Sequence, residues 1–438
     1  MISKRKPRQI PNDASNEAYV WIWLPGSPSP VVAGLLRKEN RQYVFNYGQS
    51  YLARRDAIPI YEPELPLQPD DLPLIEGLSM PGCLRDASPD AWGRRVIMNR
   101  KFGLKRDAIN VDQIDELTYM LESGSDRIGA LDFQASPRHY EPREKRAASL
   151  DELLDAASRV EAGVPLNAEL DRAFFHGSSI GGARPKAMIE DQDRKYIAKF
   201  SSLNDITNVV KAEFIAMRMA ATIGLAVAPV KLLSVAGKDV LLIERFDRSR
   251  TAPGWTRRAM VSALTLFGLD ELMARYASYE KLAEIIRHRF EQPQTALREL
   301  FGRLVFNILC GNTDDHARNH AAFWDGKRLS LTPAYDICPQ SRSGNEATQA
   351  MLIDGNNNFS QLQVCLKAAA KFQLKEIQAV EIMAHQVAVI KENWTSLCDL
   401  ASLGEVDRNA LWGRQFLNPF AFEGLPENLS SLGRGLQP

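Results

Sequence analysis

Cys310-Gly-Asn-Thr-Asp-Asp-His-Ala-Arg-Asn-His320 is the stretch on which the reading of this chain turns. It follows an apolar run that reads as a helix, Leu300 to Leu309, and precedes a hairpin predicted over 321–333 with its turn at Asp325-Gly326. The segment is therefore expected to be a loop held by rigid elements on both sides. Asp314 and Asn319 stand in the relation D-x-x-x-x-N, and a further carboxylate, Asp336, closes Pro333-Ala-Tyr-Asp beyond the hairpin. Phosphoryl transfer needs such a set. One carboxylate orients the attacking hydroxyl and accepts its proton, while an amide oxygen and a second carboxylate, both hard ligands, hold Mg2+ against the phosphates. By itself D-x-x-x-x-N is a weak signal, because Asp and Asn also cap turns.

Upstream segments give that loop its weight. His176-Gly-Ser-Ser-Ile-Gly-Gly-Ala-Arg-Pro-Lys186 is a small, glycine-rich loop entering a strand, and glycines 177, 181 and 182 would let backbone N–H groups approach phosphate oxygens. It is neither a Walker A loop, since Ala183 stands where the lysine is required, nor G-x-G-x-x-G. Lys199 follows in the apolar strand Tyr196-Ile-Ala-Lys-Phe. In the helix predicted over 206–222 and ended by Gly224, residues Ile206, Val210, Glu213 and Met217 share one face. A carboxylate on an inward face needs a cation or hydrogen-bond donors. Lys199 with Glu213 would match the strand-lysine and helix-glutamate pair that positions nucleotide phosphates in kinases. Taken in this order, the loop, the Lys–Glu pair, the Asp–Asn loop and the late Asp point to an ATP-dependent phosphotransferase.

The wider chain sets bounds on that reading. Its 438 residues suffice for two or three domains or one large lobed unit, with an ordinary globular balance of 45% apolar and 25% charged residues. Lys plus Arg and Asp plus Glu both number 54, so there is no positive surplus of the kind that coats nucleic acid directly. Five cysteines, with no C-x-x-C pair, suit a reducing compartment. The basic start has no apolar stretch behind it, and no apolar run is long enough for a bilayer, so a cytoplasmic protein with no membrane association is expected.

Strand-like patterns run from Ala18 to about Tyr61. A helix is expected at 88–97 with Ser88 as N-cap and Pro89 at its first position, and another over 111–123. The charged stretch 137–146 reads as a linker, and Ser149-Leu-Asp-Glu as a capping box. Hairpins are predicted over 187–200 and 230–246, with mainly helix after Ser262. Strands leading and helices following give an α+β order.

These segments resemble the HipA-type serine/threonine kinases, toxins of bacterial toxin–antitoxin pairs. The resemblance rests on Gly177 to Lys186, Tyr196 to Phe200, Ile243-Glu-Arg-Phe-Asp-Arg248, Gly311 to His320 and Pro333 to Asp336. In the front third it rests on Ala87-Ser-Pro-Asp-Ala-Trp-Gly-Arg-Arg95 and Asp126-Arg-Ile-Gly-Ala-Leu-Asp-Phe133. It implies a bilobal protein-kinase-like fold with an N-terminal β-rich module. The expected division is a flexible start (1–17), the front module (18–146), a kinase N-lobe with hinge (147–250), a helical C-lobe (251–415) and a tail (416–438). It further implies Asp314 as catalytic base, Asn319 and Asp336 on Mg2+, and Lys199 on the ATP phosphates, supported by Glu213. Ser179, Ile180, Gly181, Gly182 and His316 would lie against the nucleotide, backbone groups of Glu244 and Phe246 would hold adenine, and Asp247 would lie near the ribose. Ser179, with Ser178 beside it, would be the autophosphorylated serine. The partners implied are a HipB-like helix-turn-helix antitoxin, operator DNA reached through that complex, and an aminoacyl-tRNA synthetase as substrate, glutamyl-tRNA synthetase foremost. The loop departs from ordinary protein kinases in that no His-Arg precedes Asp314 and Ile-Cys follows Asp336.

Three other readings stand beside this one. His316 and His320 are spaced like metal ligands, but H-E-x-x-H is absent and no third ligand is obvious. A non-catalytic co-repressor would be expected to have lost one of Lys199, Asp314, Asn319 or Asp336. A small-molecule kinase would use the same ATP apparatus.

Overall fold

Side-chain alternation builds the first sheet. In Glu17–Ile22 (β1) the residues Ala18, Val20 and Ile22 are buried, and Val31–Glu39 (β2) and Gln42–Tyr47 (β3) follow as antiparallel neighbours. Leu131–Gln134 (β4), which the sequence did not mark as a strand, pairs with the far side of β1 and gives the order β3-β2-β1-β4. The structure is a computed structural model describing residues 15–102, 114–143, 148–164, 166, 182–202, 205, 207–342 and 344–433.

The helix expected from Ser88 begins later, as Ala91–Phe102 (α1). Ser88 Oγ instead donates to Glu116 at 3.2 Å, and the Asp90 carbonyl accepts the Arg94 N–H at 2.8 Å. Tertiary partners displaced the expected cap: the Asp90 carboxylate faces Gly182 and Arg318, each at 2.6 Å. Glu116–Glu122 (α2) is capped by Asp115 and is shorter than predicted; residues 103–113 are outside the described set. Leu150–Glu161 (α3) starts at the expected Ser149–Glu152 capping box.

The second sheet comes from the two predicted hairpins. Lys186–Asp191 (β5) pairs with Arg194–Phe200 (β6), and Val230–Val235 (β7) with Lys238–Glu244 (β8), in the order β5-β6-β8-β7. Between the hairpins, Val209–Ile223 (α4) is capped by Asn208 and ended by Gly224 at φ +97°. Tyr196, Ala198 and Phe200 of β6 pack with Trp92 of α1 and Leu153 and Leu154 of α3. Period two therefore turns Ile197 and Lys199 to the other face, into a cavity.

Arg248–Thr251 (β9) and Gly254–Arg257 (β10) form a ribbon that the sequence reading left unassigned. Ala259–Ser262 (β11) joins the predicted hairpin, Ala321–Trp324 (β12) with Leu329–Leu331 (β13), in a third sheet. The rest is chiefly helical, with Tyr279–Arg289 (α5), Pro293–Cys310 (α6) and Glu376–Leu400 (α7) the longest elements. No helix among the described residues is long and apolar enough to cross a membrane, and all five cysteines are free and buried.

The front module is fused to the lobes rather than tethered to them. One apolar core runs from Phe45 and Tyr61 of the module to Trp324 and Phe301 of the helical lobe, and the Trp324 indole donates to Pro59 O at 2.8 Å. A buried charge cluster forms a second seam. Asp126 accepts from Lys195 (2.7 Å), Arg245 (3.1 Å) and Arg248 (3.0 Å). Asp247 accepts from Gly129 N–H, Arg245 and Arg248, each at 2.8 Å. The excess positive charge is spread onto main-chain carbonyls, including Arg127 O at 2.7 Å from Arg245. Burial opposes ionisation of both carboxylates, but the arginines outweigh it and hold them below the usual carboxylate range.

Removing one partner of such a cluster leaves buried charge unanswered. Asp126→Asn is expected to cost about 3–5 kcal/mol of unfolding free energy in denaturant titration, and a cost under about 0.5 kcal/mol would refute the seam's role. Both aspartates have depressed values when folded. Their contribution is therefore complete above the unfolded carboxylate value of about 4 and is lost as pH falls through the lower folded values. Acid unfolding of Asp126→Asn should accordingly depend less on pH.

Candidate active site

The cavity faced by Lys199 has a volume of about 250 Å³ and lies between the second sheet, the 316–336 segment and the front module. Lys199 is its centre. Its ammonium donates to Glu213 Oε1 at 2.6 Å, as the helical spacing predicted, and it also pairs with Asp336. Burial disfavours the charge on Lys199, yet Asp336 and Glu213 outweigh it and hold the ammonium above its ordinary range. Asp336 is held well below the carboxylate range because Lys199 and Lys186 overcome its burial. Asp336 has φ +59°, a left-handed conformation that short polar side chains tolerate.

Lys186, at the end of the glycine-rich segment, carries no expected role in the sequence. It stands directly opposite Lys199 across β5 and β6, is buried, and lines the same cavity. Burial, with the charge of Lys199 behind it, pushes the Lys186 ammonium down to about 8. Period two on paired strands was the signal available: residues in register point the same way.

The Asp314 loop is anchored from beneath. Gly311 closes α6 at φ +73°, where a Cβ would meet Gln415 O at 2.8 Å. Asp315, buried below the loop, accepts from Tyr279 and lies 2.9 Å from His320 Nε2. Tyr335 donates to Arg318 O at 2.7 Å. This leaves Asp314 exposed, with its carboxyl raised by partial burial and by the charges of Asp336 and Asp315, against His316. Asn319 donates from Nδ2 to Asp314 O at 3.1 Å, so its amide oxygen is the end left for a cation. Asn319 and Asp336 both line the cavity and offer the hard oxygens that Mg2+ takes, so this donor pair fits that ion.

His316 lines the cavity, and its buried Nδ1 has no hydrogen-bond partner among the described residues, which fits a ligand there. His320 is instead engaged by Asp315, and among the described residues no three potential ligands group as a metal site. Among the described residues the zinc reading therefore has no third ligand.

Glu244 and Phe246 line the cavity at the end of β8. Glu244 N–H donates to Pro229 O at 2.9 Å, while Phe246 N–H has no partner among the described residues. Asp247 borders the cavity, and its carboxylate accepts from Gly129, Arg245 and Arg248, which ties this end of the cavity to the front module. Ser178, Ser179, Ile180 and Gly181 lie outside the described residues. Gly182 is described, with φ +101°, and an added Cβ would collide with the Lys186 ammonium. The front module supplies a full wall through Ile22, Ile60, Asp90, Ile128 and Leu131, which sequence reasoning did not foresee.

Comparison with known proteins agrees with this layout. The model of the HipA N-terminal domain matches residues 22–134, and that of the HipA-like C-terminal domain matches 178–394. A Sinorhizobium fredii protein named "Putative kinase Y4mE" is 27% identical over 253 residues, covering 52% of this chain and 59% of that protein. The serine/threonine-protein kinase toxin HipA of Shewanella oneidensis is 26% identical over 187 residues, 36% of this chain and 42% of that one. The chain thus aligns with less than two thirds of the length of these curated relatives. In three dimensions it is similar to the Shewanella oneidensis HipA structure solved with HipB and its operator DNA. There the TM-score is 0.68 at 18% identity over 95% of this chain and 96% of that one, a likeness of fold. With both family models matched in order and a bilobal α+β kinase-like fold shared end to end, the chain belongs to the HipA family.

Proposed function

We propose that the protein is an ATP- and Mg2+-dependent serine/threonine-protein kinase acting as the toxin of a toxin–antitoxin pair. The observation that carries this reading is Lys199, held between Glu213 and Asp336 in a cavity that also receives Asn319, with Asp314 exposed on the same loop. Lys199 and Lys186 bind the phosphates. Phe246 N–H, without a partner among the described residues, donates to the adenine ring edge. Mg2+, held by Asn319 and Asp336, neutralises phosphate charge when bound. Asp314 orients a serine or threonine hydroxyl and takes its proton as the hydroxyl oxygen bonds to the γ-phosphorus. The bond from that phosphorus to the bridging oxygen breaks, and ADP leaves.

The regulatory and target assignments extend this reading. A HipB-like antitoxin and operator DNA bound through it are the partners, in keeping with the complex solved for the Shewanella oneidensis protein. An aminoacyl-tRNA synthetase is the substrate class. Phosphorylation of Ser179 adds about −1.5 to −2 charges to the glycine-rich segment and silences the enzyme.

With labelled ATP and a cell lysate, Asp314→Asn should lower transfer by about 10²–10⁴-fold while nucleotide binding stays near wild type, because Asp314 lies outside the cavity lining. Transfer at the wild-type rate would refute the assigned base. The base acts ionised and its value is raised, so kcat should fall as pH drops through a point above the ordinary carboxylate value of about 4. A flat profile down to that value would assign the base elsewhere. Mass spectrometry after prolonged incubation with ATP should find phosphate on Ser179 and none in the Asp314→Asn protein; an unmodified wild-type loop would count against self-inactivation.

A further inference from the structure

A groove of about 650 Å³, separate from the nucleotide cavity, runs between the β7 edge of the second sheet and the end of α7. Its floor is the α4 face carrying Lys211, Phe214 and Arg218, and Leu400 to Ser402 form its far side. None of the roles assigned above uses it.

One contact fixes the hydrogen-bonding phase of β7. Glu244 N–H donates to Pro229 O, and Val230 is opposite Ile243. In an antiparallel ladder such a bond flanks a pair that is not itself hydrogen-bonded. Lys231 and Leu233 therefore turn their main-chain groups to β8, while Leu232 and Ser234 turn theirs outward. Among the described residues no group hydrogen-bonds to the N–H or C=O of Leu232 or Ser234 on that side. The edge is thus an open template for one more strand.

The surrounding side chains select what would add to it. Lys211, Arg218 and Lys231 line the groove against one carboxylate, Asp239. Lys211 is shared with Ser402 O at 2.8 Å and Lys231 with the Tyr196 hydroxyl at 3.1 Å, whereas Arg218 is exposed. Apolar contact comes from Leu232, Leu233 and Leu400, the last 58% exposed.

We propose that this groove is a docking site for an extended acidic segment of a protein partner, which adds to β7 as a fifth strand with its carboxylates toward Arg218. Main-chain hydrogen bonds supply affinity and the alternate side chains supply selection. Occupancy bears on the site already described, because the groove floor is the helix that carries Glu213 on its neighbouring face.

The test is fluorescence anisotropy of the full-length protein, without nucleotide, using a labelled peptide that alternates Glu with Val. Saturable binding, weakened by salt and about fivefold or more in Leu232→Pro and in Ser234→Pro, is expected, since each proline deletes one outward N–H and leaves the β8 ladder intact. Arg218→Glu, at an exposed position, should weaken it by a similar factor and serves if a proline variant fails to fold. No binding, equal binding of the peptide with Lys in place of Glu, or unchanged affinity in Arg218→Glu and in the folded proline variants would overturn the proposal. Concentration-dependent dimerisation abolished by Leu232→Pro would also overturn it, by assigning the edge to a second copy of the chain. The readout involves no phosphate transfer, so failure of the kinase reading would leave it unaffected.

Discussion

A buried ammonium held by two carboxylates from different parts of the chain is the constraint on which the rest depends. Lys199 stands on β6, Glu213 on α4 and Asp336 beyond β13. Removing a lysine from water is expensive, and one surface partner would not compensate for it. The two carboxylates do so only if helix α4 is docked on the sheet and the 333–336 segment is brought across the cleft. The charge balance is thus a positional demand on both lobes. Asp336 meets it in a left-handed backbone conformation, and Lys186 adds a second cation over the same space.

The front module completes this geometry. Its 126–132 segment carries Asp126, Gly129 and the cavity-lining Ile128 to Leu131, so the residues that lock the module to the end of β8 adjoin those that wall the Lys199 cavity. Gly129 has φ +74° and donates its N–H to Asp247, which allows the chain to run close against β11. Asp90 makes a second connection, reaching both Gly182 and Arg318 on the Asp314 loop. A module that reads in sequence as an independent β-rich unit is in physical terms one side of the site.

Local pattern made much of the site legible. Alternation in Tyr196 to Phe200 put Lys199 opposite the buried Ala198 and Phe200, and the helical spacing of Val210, Glu213 and Met217 aimed a carboxylate inward. Gly224 and Gly311 ended helices where the apolar periodicity stopped. The Asp314–Asn319 spacing set the two groups on one tight loop. In each case, neighbours within a few residues determine where the side chain points.

Other features were decided only by the folded chain. Asp247 is the clearest: Gly129, 118 residues away, and two arginines bind its carboxylate at the cavity edge. The later start of α1, the alignment of Lys186 with Lys199, and the outward-facing main chain of β7 likewise arise from pairing between distant segments. Sequence alone determined which side chains share a strand face, a helix face or a turn, because those relations follow from backbone periods of 2.0 and 3.6 residues. The tertiary structure decided which of those faces meet, because burial of charge is tolerable only where a partner from elsewhere in the chain arrives.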